Sequence, residues 1–116
     1  MEIKSGIKLL AENEGAGRVV KKGDRIRVRL NGWLTKGQCI QENFEGEYIF
    51  GSRKCGQLIN GITYSIAGMR QGGKRRVRIS PHLAYRDAGV KDCIPPNAVL
   101  IYEIELLEVA SSLSGS

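Results

Sequence analysis

Apolar and polar residues alternate most strictly in the run Arg25 to Leu34, RIRVRLNGWL, where Ile26, Val28 and Leu30 fall on one side and Arg25, Arg27 and Arg29 on the other. Side chains of an extended chain point to opposite faces with a period of two. This run is therefore a strand with one face in the core and one in water. Gly32 interrupts it, as a bulge or a point of close backbone approach. Val99 to Val109 repeats the pattern, with Leu100, Tyr102, Ile104 and Leu106 opposed to Val99, Ile101, Glu103 and Glu105. In Gly73 to Ile79, Lys74, Arg76 and Arg78 share one face and Arg75, Val77 and Ile79 the other. Ile7, Leu9 and Ala11 alternate in Gly6 to Glu12, which predicts an edge strand. Tyr48 and Phe50 share a face of a short strand between Gly46 and Gly51, and Cys39 to Phe44 fits neither period.

One segment changes period. Leu58, Ile62, Ser65, Ile66 and Met69 recur at close to helical spacing, with Ile59 set off from the stripe. Gly61 and Gly68 weaken a helix by about 1 kcal/mol each. The helix within 58–69 is therefore short, with Asn60 as a cap and Gly68 near its end. Strands before and after one short helix imply an α+β domain: a curved antiparallel sheet with the helix packed across one face. Residues 1–110 read as one domain and 111–116 as a small polar tail without structure.

Composition narrows the chemistry. The chain has 116 residues, enough for one core. No apolar run reaches the roughly 18 residues of a membrane span, and MEIKSGIKLL lacks a signal-peptide core. Cys39, Cys55 and Cys93 form no C-x-x-C, which suits reduced thiols in a cytoplasmic protein. No metal site and no cofactor are expected. The net charge of +6 raises nucleic-acid binding through Lys74, Arg76 and Arg78, but few aromatics interleave with those charges, and a solvated strand face accounts for them. By alternation Trp33 faces outward, provided Gly32 leaves the register unshifted. No nucleophile elbow, zinc-protease motif, phosphate loop or dinucleotide fingerprint is present. His82 has no partner for base catalysis in the sequence, and Cys93 no neighbouring base.

What remains is an ordered set of small motifs: Gly23-Asp24, VRLNGWL with Gly37, Tyr48-x-Phe50, Leu58-Ile59-x-Gly61, Ile66-x-Gly68-Met69 with Gly72, Ile79-Ser80-Pro81, Ala84-Tyr85, Gly89, Ile94-Pro95-Pro96-Asn97-Ala98 and Leu106-Leu107. From about Gly23 to Val109 this order resembles the FKBP-type peptidyl-prolyl cis-trans isomerases. The resemblance implies an FKBP-like fold and catalysis of X-Pro isomerisation in peptides and folding proteins. The alternative it leaves is a weakly active or inactive peptide- or protein-binding module on the same fold. It implies catalytic roles for Tyr85, through its hydroxyl, and Ile59, through its backbone N–H. Substrate contacts would come from Leu30, Ile40, Gln41, Tyr48, Phe50, Leu58, Ile62, Ile94 and Tyr102. The implied partners are proline-containing peptides or unfolded proteins met by a monomer, with weak binding of macrolides.

The chain also departs from that family's pattern. Leu30 stands where active members carry a tyrosine, Ile40-Gln41 where they carry phenylalanine-aspartate, and Ile62 where a tryptophan floors the pocket. These replacements predict a wider, more aliphatic pocket that has lost a fixed hydrogen-bond acceptor with the carboxylate, and a flat surface for proline with the tryptophan.

Overall fold

The computed structural model describes residues 2–4, 6–50, 60–83, 89 and 94–110. Six strands form one antiparallel sheet: β1 (Glu2–Lys4), β2 (Ile7–Asn13), β3 (Arg25–Leu34), β4 (Cys39–Ile49), β5 (Lys74–Ile79) and β6 (Leu100–Ala110). Their order across the sheet is β1-β2-β5-β6-β3-β4. One helix, α1 (Asn60–Ile66), and a 3-10 turn, Pro81–Leu83, complete the described elements. The α+β architecture is as the periodicity implies.

The two longest alternating runs are neighbours. β3 pairs with β6 along its whole length, with Leu30 opposite Ile104 and Leu34 opposite Leu100. Ile26, Val28, Leu30, Leu100, Tyr102, Ile104 and Leu106 are buried on the shared inner face, joined by Val77 and Ile79 of β5 and Ile7 of β2. Ile62, Ile66 and Met69 press the helix stripe onto this face. Tail residues 111–116 lie outside the described residues.

Two local expectations are corrected. β2 is not an edge strand: it lies between β5 and the three-residue β1, a pairing no periodicity of so short a segment announces. The ambiguous Cys39 to Phe44 and the short strand after it are one strand, β4, whose alternation is broken by irregular pairing between Leu30 and Trp33 and by Asn43 at φ 46°. The described part of α1 begins at Asn60, and Leu58 and Ile59 before it lie outside the described residues.

The helix ends as its glycine predicts. Gly68 has φ 81°, the left-handed conformation that closes many helices. The last carbonyls are then met from the sheet. Arg75 Nη1 donates to the carbonyls of Ser65 at 2.8 Å and Ala67 at 2.7 Å, while its Nε donates to Glu12 at 2.6 Å. This is why an arginine occupies an inward position of β5. Inside the helix, the buried Ser65 hydroxyl donates to the Gly61 carbonyl at 2.6 Å, so its burial leaves no open polar atom.

The outer face is a ladder of charges. Arg29 bridges Glu45 and Glu105, Arg27 meets Glu108, and Lys74 meets Glu103. Trp33 lies on this outer face, as expected, with the Arg76 guanidinium 5.4 Å from its ring centroid. Of the basic residues that had suggested nucleic acid, Lys74 pairs with Glu103 and Arg76 lies over Trp33.

Candidate functional site

β3, β4 and β6 carry most of the expected site residues that are described, with Gln41 and Tyr102 at the Gly32 end of β3 and Tyr48 and Phe50 at its Arg25 end. Gly32 is the pivot of the first pair. On one side it is registered with Tyr102 of β6, on the other with Gln41 of β4. Register partners point to the same face. A Cβ added to Gly32 would lie 2.6 Å from Cζ of Tyr102, so the phenol ring covers the space a side chain would need. Across that gap the Tyr102 hydroxyl donates to Gln41 Oε1 at 2.8 Å. Two strands that do not pair are joined over the glycine between them.

Gln41 therefore does not lack the function of an acceptor. The expectation that replacing a carboxylate here removes a fixed acceptor is corrected: the amide oxygen accepts, and the tyrosine that supplies the proton comes from β6 rather than from position 30. Leu30 instead packs in the core.

The remaining residues divide by exposure. Leu30, Ile62, Ile94 and Tyr102 are buried, at 2%, 3%, 7% and 2% exposure. Ile40, Gln41, Tyr48 and Phe50 are half-buried, and Ile40, Tyr48 and Phe50 pack against the same core. The first group belongs to the buried core, and the second keeps part of its surface accessible. Tyr48 folds back over Gly46, where a Cβ would lie 2.7 Å from its hydroxyl. Burial pushes the Tyr48 phenol above its ordinary value of 10.0. Phe50 is fixed through its backbone: its N–H donates to the Asp24 carbonyl and its carbonyl accepts from Gly23 N–H, both at 2.9 Å. Asp24 is itself buried, its carboxylate accepting from Lys21 N–H at 2.8 Å. The Gly23-Asp24 turn is thus what places the aromatic ring.

Ile94 lies on the backbone against which Gly89 is pressed: a Cβ on Gly89, which has φ 62°, would run into the Ile94 carbonyl oxygen. That packing explains the glycine in the motif between Ala84-Tyr85 and Ile94. Tyr85, Leu58 and Ile59 lie outside the described residues, as do Cys55 and Cys93. The described candidate residues comprise apolar groups, two phenols and one amide, residue types suited to binding an apolar segment with a few directed hydrogen bonds.

Sequence reasoning missed the bond between Gln41 and Tyr102. Its one visible signal is Gly32, a glycine inside an otherwise regular strand.

The fold and these motifs agree with known proteins. The family model described as FKBP-type peptidyl-prolyl cis-trans isomerase matches residues 17–107. The chain is 35% identical over 112 residues to FK506-binding protein 1A of Neurospora crassa, covering 95% of this chain and 93% of that protein. It is 36% identical over 97 residues to an FK506-binding protein of Neisseria meningitidis, covering 83% of this chain and 89% of that one. Against FK506-binding protein 4 of Chaetomium thermophilum the identity is 36% over 94% of this chain, which spans only 22% of that longer protein. Among solved structures, FkpA from Escherichia coli superposes with a TM-score of 0.74 at 28% identity, over 91% of this chain and 48% of that chain. The chain belongs to the FKBP-type peptidyl-prolyl cis-trans isomerase family. Among the described residues no helix is long and apolar enough to cross a membrane.

Proposed function

We propose that this chain accelerates cis-trans isomerisation of X-Pro bonds in peptides and folding proteins, using the inner-face site between sheet and helix. The observation that carries this reading is the family match over residues 17–107.

The chemistry needs no nucleophile and no metal. The barrier of about 18–20 kcal/mol is the resonance lost as the C–N bond twists. A catalyst need only hold the twisted amide better than either planar isomer, and about 1.4 kcal/mol of such preference gives a factor of ten. Apolar walls help by withdrawing water from the carbonyl. Phe50, Tyr48 and Ile40 would supply accessible apolar surface over Tyr102 and Ile62. Tyr85 and the backbone of Leu58-Ile59 would orient the peptide, Tyr85 with its hydroxyl and Ile59 with its N–H. The solvated outer face, with its paired charges, supports leaving nucleic acid out of the function. The exposed free thiol of Cys39 supports a reducing, cytoplasmic setting. Relatives are named for binding FK506; for this chain we propose only weak macrolide binding, since Ile62 offers no flat aromatic floor.

The test is exchange spectroscopy without a coupled protease on a panel of X-Pro peptides. The expected result is a faster cis-to-trans rate that Tyr85→Phe and Ile59→Asp each abolish while circular dichroism stays native. No acceleration for any peptide overturns the reading.

One observation favours a second reading, a peptide-binding module with little catalysis. Leu30 and Ile62 are committed to the core at 2% and 3% exposure, which leaves fewer groups to grip a twisted imide. Peptide-dependent chemical shifts without any gain in exchange rate would select it.

A further inference from the structure

We infer that the outer face of the sheet, at the Trp33 end of β3, is a docking surface for a short extended segment of another protein in which carboxylate side chains adjoin an apolar one. The inference does not rest on the isomerase reading, because this is the face opposite the candidate site.

The strand register lays out one row across that face. Lys8 of β2 is opposite Arg78 of β5, Arg78 is opposite Ile101 of β6, and Ile101 is opposite Trp33 of β3. Register partners share a face. Two cations therefore lead onto two apolar side chains over about 14 Å, at roughly 4.8 Å per strand. Arg76 stands two residues along β5 from Arg78, and its guanidinium lies over the Trp33 ring, 5.4 Å from the centroid. Attraction between cation and ring face holds that side chain against the row.

The two ends of the outer face differ in charge balance. Toward the Arg25 end of β3, Arg27 meets Glu108, and Arg29 meets Glu45 and Glu105. In the row beside Trp33, Glu103 is taken by Lys74. Lys8, Arg76 and Arg78 are exposed and, among the described residues, make no ion pair. Trp33 and Ile101 beside them are half-buried. This is the complement of carboxylates followed by an apolar side chain. An extended peptide sends alternate side chains to one side about 6.7 Å apart, so three of them span the row. Two carboxylates then meet Lys8, Arg78 and Arg76, and the third side chain meets Ile101 and Trp33. A nucleic-acid strand fits less well: its bases stack on open aromatic faces, and a face of the one aromatic ring in this row is taken by Arg76.

The chain has one tryptophan, so Trp33 emission and its indole N–H signal report on this face alone. The test titrates the full chain, isotope-labelled and at low salt, with the blocked hexapeptide Glu-Ser-Glu-Ser-Leu-Ser. Its counterparts carry Gln for both Glu, or Ser for Leu, and hexathymidylate serves as the nucleic acid. The Glu peptide is expected to shift the Trp33 indole signal and to bind about fivefold tighter than the Gln peptide. Its affinity should fall as salt rises, and the peptide without Leu should bind about threefold more weakly. Lys8→Gln, Arg76→Gln and Arg78→Gln should each cost about two- to threefold, while Arg27→Gln, at the paired end, changes nothing. An unmoved Trp33 signal, equal Kd for the Glu and Gln peptides, or equal losses in Arg27→Gln and Arg78→Gln would each overturn the inference. Hexathymidylate binding tighter than the peptide would give the face to nucleic acid. A Trp33 signal that moves with protein concentration alone would give it to a second copy of the chain. Either result overturns the inference too. Isomerisation measured on the same samples keeps the two readings apart, since absent docking with catalysis intact defeats this inference alone.

Discussion

Tyr102 of β6 donates its hydroxyl to Gln41 of β4 at 2.8 Å, although β3 lies between those strands. The bond exists because the residue between them is glycine. Any side chain at position 32 must contend with the phenol ring at 2.6 Å.

Gly32→Ala should therefore destabilise the protein by about 1–3 kcal/mol, the usual cost of adding volume to a packed site. Urea denaturation measures it. The same variant should separate Tyr102 from Gln41, seen as a moved Gln41 side-chain signal. An alanine variant as stable as the parent would mean that the ring yields freely.

The turn that places Phe50 offers a second test. The Asp24 carboxylate, buried, accepts from Lys21 N–H at 2.8 Å, and Arg18 approaches it at 3.6 Å. Asp24→Ala should cost about 1.5–3 kcal/mol, the range for hydrogen bonds to charged groups. Almost all of that belongs to the Lys21 bond, because Arg18 is largely exposed and its ion pair contributes little. Asp24→Asn keeps an acceptor and should lose about half as much. Amide exchange at Phe50, whose N–H is held by the Asp24 carbonyl, should quicken in the alanine variant.

Tyr48 predicts a pH dependence. Burial raises its folded pKa above 10.0. The unfolded chain gives up this proton near pH 10 while the folded chain keeps it. The stability linked to Tyr48 is therefore complete below pH 10 and declines as pH rises through the folded value. Phenolate absorbance should show Tyr48 titrating later than free tyrosine, as the transition that Tyr48→Phe removes. A Tyr48 titrating at 10.0 would mean that its ring is open to water.

The sheet was legible wherever a strand keeps one face dry. The alternation of Ile26, Val28 and Leu30, and of Leu100 to Leu106, carries both the strands and their inward faces, because burial is what writes a period of two. β4 was not legible, since an edge strand with Glu42, Asn43 and Phe44 exposed has no dry face to mark it. Gln41 was visible as a substitution within a family motif, but its partner is 61 residues away. That pairing depends on the irregular register around Gly32, which local pattern does not encode. The outward position of Trp33 followed from alternation, whereas the Arg76 beside it depends on which strands become neighbours.

Arg75 is the sharpest case of a residue that alternation places correctly although its charge argues against an inward position. It faces inward on β5, yet its side chain is only 13% exposed and fully engaged. One guanidinium closes the end of α1 at Ser65 and Ala67 and pairs with Glu12 on β2. Replacing it removes donors from helix carbonyls that have no further turn to bond, and strands a carboxylate. Arg75→Met, which keeps the apolar stem, should cost about 2–4 kcal/mol in urea denaturation, as hydrogen bonds to a charged group are lost together. Arg27→Met, breaking an exposed pair with Glu108, should cost under about 1 kcal/mol. The difference has a spatial signature: amide exchange should accelerate in α1 and β2 before the β3–β6 centre responds. Since α1 carries Ile62, one of the candidate site residues, peptide binding should weaken in Arg75→Met and hold in Arg27→Met. Equal losses in the two variants would place Arg75 among the solvated charges of the outer face.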